Sequence, residues 1–184
     1  MNYPDNESKI LLSDQKINLI LNRFAHQLHE NHLNFDDTAI IGLQPRGVEL
    51  SRRIYKIITQ ISGNPQILYG ELDTTFYRDD FRRNEEPLKP NSNKIDFIIE
   101  KRKVVLIDDV LYTGRSVRAA LDALTAYGRP ASVELLCLID RRYSRELPIE
   151  ADYVGVEVDT RANHKVKVMW DSEDKDNKVL LTHI

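Results

Sequence analysis

Residues 104–116 read VVLIDDVLYTGRS: an apolar run, two adjacent carboxylates, and a turn built on a hydroxyl and a glycine. With Lys103 the run predicts a buried strand over 103–109, and SVRAALDALTAYG (116–128) continues as a helix with Gly128 just past its end. Two like charges at the end of a buried strand repel and resist desolvation. Asp108 and Asp109 therefore belong either to an acidic surface turn or to a site that a cation and a phosphate share.

The rest of the chain repeats the same grammar. TAIIGL (38–43) is a short β-rich run ended by QPRG, and VELSRRIYKIITQIS (48–62) predicts a helix stopped by Gly63. QILYGELD (66–73) and ASVELLCLID (131–140) predict two further strands. From Ser13, a plausible N-cap, Ile17, Ile20, Leu21, Phe24 and Leu28 recur at helical spacing. Strands alternating with helices imply an α/β fold with a mostly parallel, twisted sheet flanked by helices. The unbroken apolar runs agree, because a strand covered on both faces shows no polar alternation. About thirty residues, 74–102, carry no sustained period and predict a functional lid. After Asp140 the grammar changes, which predicts a small C-terminal hood over about 140–160 and a terminal hairpin over about 165–184, all within one domain, 1–184.

Composition bounds the partners. The chain has 184 residues, enough to bury a core without metals or disulfides, and its formal net charge of -3 announces neither nucleic acid nor membrane as a bulk electrostatic partner. Any anion site must be local. The lone cysteine, Cys137, lies in the apolar run VELLCLI and reads as a core side chain. The first residues, MNYPDNESKI, lack a basic segment followed by an apolar one, and no apolar stretch approaches the roughly 20 residues of a membrane span. A cytoplasmic location is expected.

In an open parallel sheet, ligands bind beyond the carboxyl ends of the strands. There VLYTGRS runs straight into a helix, so its backbone N–H groups form a cup at the positive end of the helix dipole. Gly114 permits close approach to a phosphate monoester, while Thr113 and Ser116 add hydroxyls. The loop matches neither the Walker pattern nor a dinucleotide fingerprint. The two carboxylates suit ribose hydroxyls and a hydrated Mg²⁺ held with substrate oxygens. The ligand implied is a sugar phosphate carrying a metal and further phosphates.

VVLIDDVLYTGRS resembles the phosphoribosyl pyrophosphate (PRPP) signature of type I phosphoribosyltransferases, and DDVLYTGR, with Tyr112 and Arg115, is most similar to the PyrR family. RFAHQLHE, GELDTTFYRDDF, ALDALTAYGRP and DRRYSRELPIEADYVG extend the resemblance along nearly the whole chain. It implies a bifunctional pyrimidine operon attenuator with uracil phosphoribosyltransferase activity, converting uracil and PRPP to UMP and pyrophosphate with Mg²⁺. It further implies that Asp108, Asp109, Val110, Leu111, Tyr112, Thr113, Gly114, Arg115 and Ser116 hold PRPP, with the acids at the ribose and, through water, at Mg²⁺. LQPRG resembles the pyrophosphate loop, which assigns Arg46 and Gly47 to the leaving group, and TTFYRDDFRRN resembles the closing lid, with Arg78 meeting pyrophosphate. The hood, with Arg141, Val156 and Val158, is the implied reader of the base.

The resemblance also implies UMP or UTP as ligands, a homodimer or larger assembly, and pyrimidine operon leader mRNA bound by a basic surface to which Arg23, His26, Arg142 and Arg145 contribute. Glu150, Asn31 and His32 stand where relatives are more basic. Losing cations removes phosphate contacts, which dominate RNA affinity. Two alternatives stay open: an RNA-binding regulator with little enzymatic role, and a phosphoribosyltransferase for another base. His26, His29 and His32 rotate around the helix and have no ligand partners at zinc spacing, so a zinc site is rejected.

Overall fold

The structure, a computed structural model, describes residues 8–77, 92–160, 164–171 and 176–183. In chain order the elements are β1 (Lys9–Leu12), α1 (Asp14–His32), β2 (Thr38–Leu43), α2 (Gly47–Ser62), β3 (Leu68–Leu72), β4 (Lys103–Leu111), α3 (Arg115–Leu124), β5 (Ser132–Arg142), β6 (Tyr153–Asp159), β7 (His164–Met169) and β8 (Lys178–His183). Five strands form a parallel sheet in the order β3-β2-β4-β5-β6. The strand that carries the acidic pair is thus its centre.

The apolar runs divide between two faces. Val105 and Ile107 of β4 join Ile40, Leu136 and Leu138 in a core closed by Ile17, Leu21, Phe24 and Leu28 of α1 and by Leu50, Ile54 and Ile58 of α2. Val104 and Leu106 point the other way, to Ile41, Leu135 and Cys137 and to Val117, Ala120 and Ala123 of α3. Cys137 is fully buried, as a core residue should be. Ser13 takes the N-cap position of α1 through its backbone, its carbonyl accepting the Ile17 N–H at 3.0 Å, while its hydroxyl makes no capping bond. Gly63 ends α2 in the left-handed conformation at φ 66°. The α3 helix stops at Leu124 and the chain turns through a short 3-10 segment to Gly128.

Two features depart from expectation. Tyr153–Asp159, assigned from the sequence to an appended hood, is the fifth strand of the main sheet. It follows β5 in parallel without a crossover helix, residues 143–152 making the return instead. The other departure is β1, which pairs with β8 to complete a three-stranded antiparallel sheet, β1-β8-β7. This small sheet sends Leu12, Val166 and Val179 into the α1/α2 core.

Of the expected lid, only the ends fall within the described residues. A bridge between Glu71 and Lys94 draws those ends together. Arg118 of α3 donates from Nη2 to the Tyr77 carbonyl at 3.1 Å, and Gln44 donates from Nε2 to the Ser92 carbonyl at 2.9 Å. No helix among the described residues is long and apolar enough to cross a membrane.

Candidate active site

A cavity of about 680 Å³ opens beyond the carboxyl end of β4. Its floor is the acidic pair: Asp109 is 6% exposed, and its amide donates to Asp108 Oδ1 at 2.9 Å. Burial, and then the charge of Asp109, push the Asp108 carboxyl up to about 8; the bond from the Asp109 amide and the Arg46 guanidinium oppose the shift. Burial also raises Asp109, with Arg46 the largest opposing influence. An apo site with both carboxylates charged is therefore unfavourable, and a bound cation or hydroxyl donors relieve it.

The turn after the pair is held from behind. The Thr113 carbonyl accepts the amides of Glu146 and Leu147 at 3.1 and 3.2 Å. Gly114 stands at φ 89°, where a Cβ would also meet Ile149 at 3.2 Å. The Arg115 amide reaches Thr113 Oγ1 at 3.4 Å, its guanidinium donates to Glu146 at 2.6 Å, and α3 begins there, its first amides facing the cavity that Ser116 and Val117 line. Arg145 donates to the Tyr112 carbonyl and to Asp140 Oδ1, both at 2.5 Å. Residues 145–147 thus fix the shape of the cup that TGRS presents.

On the β2 side, Gln44, Pro45 and Arg46 bring the chain from β2 into α2, across a cis Gln44–Pro45 peptide. A Cβ on Gly47 would lie 2.4 Å from the Ile107 carbonyl and 2.9 Å from Asp108 Cα, so only glycine lets α2 start this close to β4. On the β5 side stands Arg141, 6% exposed. Its Nε donates to Thr160 Oγ1 and its Nη2 to the His164 carbonyl, each at 2.9 Å, and its Cζ lies 3.9 Å from the centroid of the Tyr112 ring. Desolvation pulls its pKa below the usual value for arginine.

The structure brings together Asp108, Asp109, Val110, Leu111, Tyr112, Thr113, Gly114, Arg115, Ser116, Arg46 and Arg141 around one cavity, with Gly47 directly behind it. Val156 and Val158 do not line it; both pack against the α1/α2 core. Arg78 lies outside the described residues. His164, Lys165 and Val166 of β7 form a wall that sequence reading missed. HKVKV shows a strand with one polar face, but nothing local says that the hairpin folds back to the cavity. Among the RNA candidates, Arg23 donates to the carbonyls of Val154 and Gly155 at 2.8 and 2.9 Å, Arg142 lies 3.4 Å from Glu157 and 3.6 Å from Asp159, and Arg145 is engaged as above. His26 is exposed on α1.

No group of three or more His, Cys, Asp or Glu among the described residues forms a metal cage. Two adjacent carboxylates beside a phosphate cup fit a hydrated Mg²⁺ that arrives on ligand oxygens.

The phosphoribosyl transferase domain family matches residues 7–173. Among solved structures, the hypoxanthine phosphoribosyltransferase of Trypanosoma cruzi shares the fold at a TM-score of 0.69 with 14% identity, over 95% of this chain and 96% of that one. A hypoxanthine phosphoribosyltransferase of Staphylococcus aureus does so at 0.65 with 20% identity, over 83% and 79%. Fold and site together thus define a phosphoribosyltransferase of type I. The chain is 42% identical over 179 residues to the bifunctional protein PyrR of Bacillus subtilis, covering 96% of this chain and 97% of that protein. It is 44% identical over 171 residues to the PyrR of Desulfosudis oleivorans, covering 93% and 94%. It belongs to the PyrR family.

Proposed function

We propose that this chain transfers the phosphoribosyl group of PRPP to uracil, giving UMP and pyrophosphate. The observation that carries the reading is the placement of a buried carboxylate pair between two cationic walls, Arg46 on the β2 side and Arg141 on the β5 side, with a helix-capped phosphate cup beside it. PRPP sits with its 5-phosphate in the cup, its ribose hydroxyls at Asp108 and Asp109, and its pyrophosphate toward Arg46. As the C1′–O bond to pyrophosphate breaks, positive charge grows on the ribose and negative charge on the leaving group, so catalysis consists of positioning and neutralisation. The carboxylates steady the ribose and Arg46 receives the pyrophosphate. Arg78, on the lid, is proposed to join it there. Mg²⁺, when bound, offsets pyrophosphate charge, and Asp108 and Asp109 would hold it through water.

The test is product formation with uracil, orotate and hypoxanthine. Uracil turnover is expected. Hypoxanthine turnover without uracil turnover would assign the cavity to another base.

A second reading, regulation by RNA binding with UMP or UTP as sensed ligand, is favoured by the bifunctional relatives. Against it, Arg23 already donates to main-chain carbonyls, and Arg142 and Arg145 are paired with Glu157 and Asp140, which offsets their charge. A gel shift with a pyrimidine operon leader, titrated with UMP and salt, decides: UMP-strengthened, salt-sensitive binding establishes the second activity, and its absence removes it.

A further inference from the structure

Among the described residues Arg141 is the one arginine that is buried. Arg52, Arg53, Arg115, Arg142 and Arg145 each have a carboxylate within 3.4 Å. Arg141 is 6% exposed, yet among the described residues its partners are a hydroxyl, a carbonyl and the face of Tyr112. A buried cation without a counter-charge is costly, and this one is in the cavity wall, where a ligand can supply the missing negative charge.

Its position says which part of the ligand that is. The sheet order places β4, with the acidic pair, between β2 and β5. In-line displacement at C1′ puts entering and leaving groups on opposite sides of the ribose. With pyrophosphate toward Arg46, the base lies toward Arg141.

Resting on the uracil reading above, we propose that Arg141 ionises the base: uracil bound against this buried guanidinium reacts as its N1 anion. The N1–H bond breaks first, its proton passing to solvent water. The N1 lone pair then forms the N1–C1′ bond as the C1′–O bond breaks, and pyrophosphate leaves with that electron pair. Arginine holds its own protons throughout, so it acts as a fixed positive charge and not as a base.

The experiment compares uracil with 5-fluorouracil, whose fluorine makes N1–H more acidic, across pH in the wild-type protein, Arg141→Gln and Arg141→Lys. Arg141→Gln is expected to lose on the order of 100-fold in kcat/KM with uracil, as when one preorganised electrostatic contact is removed. It should lose clearly less with 5-fluorouracil, and its rising pH limb should move to higher pH. Arg141→Lys should recover most of the loss. Equal losses for both bases with an unmoved limb would overturn the inference and leave Arg141 a binding residue. So would loss of that limb in His164→Asn with the limb unmoved in Arg141→Gln, which would assign proton removal to the His164 ring. An ultraviolet difference spectrum of uracil on the wild-type protein, with ribose 5-phosphate, pyrophosphate and Mg²⁺ replacing PRPP, needs no variant. The anion's longer-wavelength band supports the proposal, and a neutral-uracil spectrum overturns it. If the wild-type protein turns over neither pyrimidine, the functional reading itself falls and this inference with it; turnover of both with equal sensitivity to Arg141 contradicts the inference alone.

Discussion

Asp109 is buried beside a second carboxylate, an arrangement that gains nothing for folding and is relieved by a ligand. Hydrogen bonds to charged groups contribute about 1.5–3 kcal/mol, so Asp109→Asn should raise the KM for PRPP by about 10- to 100-fold without lowering the melting temperature of the ligand-free protein. Steady-state kinetics and thermal unfolding check both halves. Arg145 is a positioning residue: it ties the Tyr112 carbonyl to Asp140, whose side chain is only 13% exposed. Arg145→Gln strands that carboxylate and loosens the phosphate cup. It should cost about 1–3 kcal/mol of stability and raise the KM for PRPP, with the KM for uracil and kcat little changed; Arg145→Lys should restore part of the KM. Most residues on the cavity floor were legible because the motif is contiguous: strand, acids, turn and helix dictate one another locally. Arg145 was legible only as a surface cation, since its bonds to Asp140 and Tyr112 depend on how the 143–152 return folds back.

At the level of elements, close approach of α2 to β4 sets the distance between pyrophosphate loop and acidic pair. Gly47→Ala would drive a methyl into the backbone of Ile107 and Asp108, atoms that cannot turn aside as a side chain can. Overpacking of this kind costs about 1–3 kcal/mol. The variant should melt earlier in a denaturation series and lose affinity for PRPP more than for UMP, which lacks pyrophosphate. The strands β2, β4 and β5 and the helices α1 and α2 were readable because double-sided burial writes apolar runs and helical burial writes a 3.6-residue period. β6 was not, because the usual sign of a parallel neighbour is a crossover helix and here the return is irregular. KILL, the four residues of β1, is too short to announce a strand whose partner lies at the other end of the chain. For the same reason the β7 wall of the cavity, His164 to Val166, went unseen; Val156 and Val158, whose backbone the resemblance assigns to the base, pack their side chains against the core.

For the whole molecule, the acidic pair links stability to pH. The Asp108 carboxyl, ordinarily at 3.8, is pushed up in the fold to about 8, so across that window the folded state holds a proton that the unfolded chain has released. Stability of the ligand-free protein from this group is complete at low pH and is lost as pH rises toward 8. Asp108→Asn removes the linkage. The variant should gain stability relative to the wild-type protein as pH rises from about 4 to about 8, measured as the difference of their melting temperatures. A constant difference would show that the pair does not resist ionisation. The reading of the whole chain as a uracil phosphoribosyltransferase is tested most directly by UMP formation from uracil, PRPP and Mg²⁺, with orotate and hypoxanthine run alongside. Turnover of uracil alone among the three bases is expected; robust turnover of hypoxanthine with none of uracil would overturn the uracil assignment.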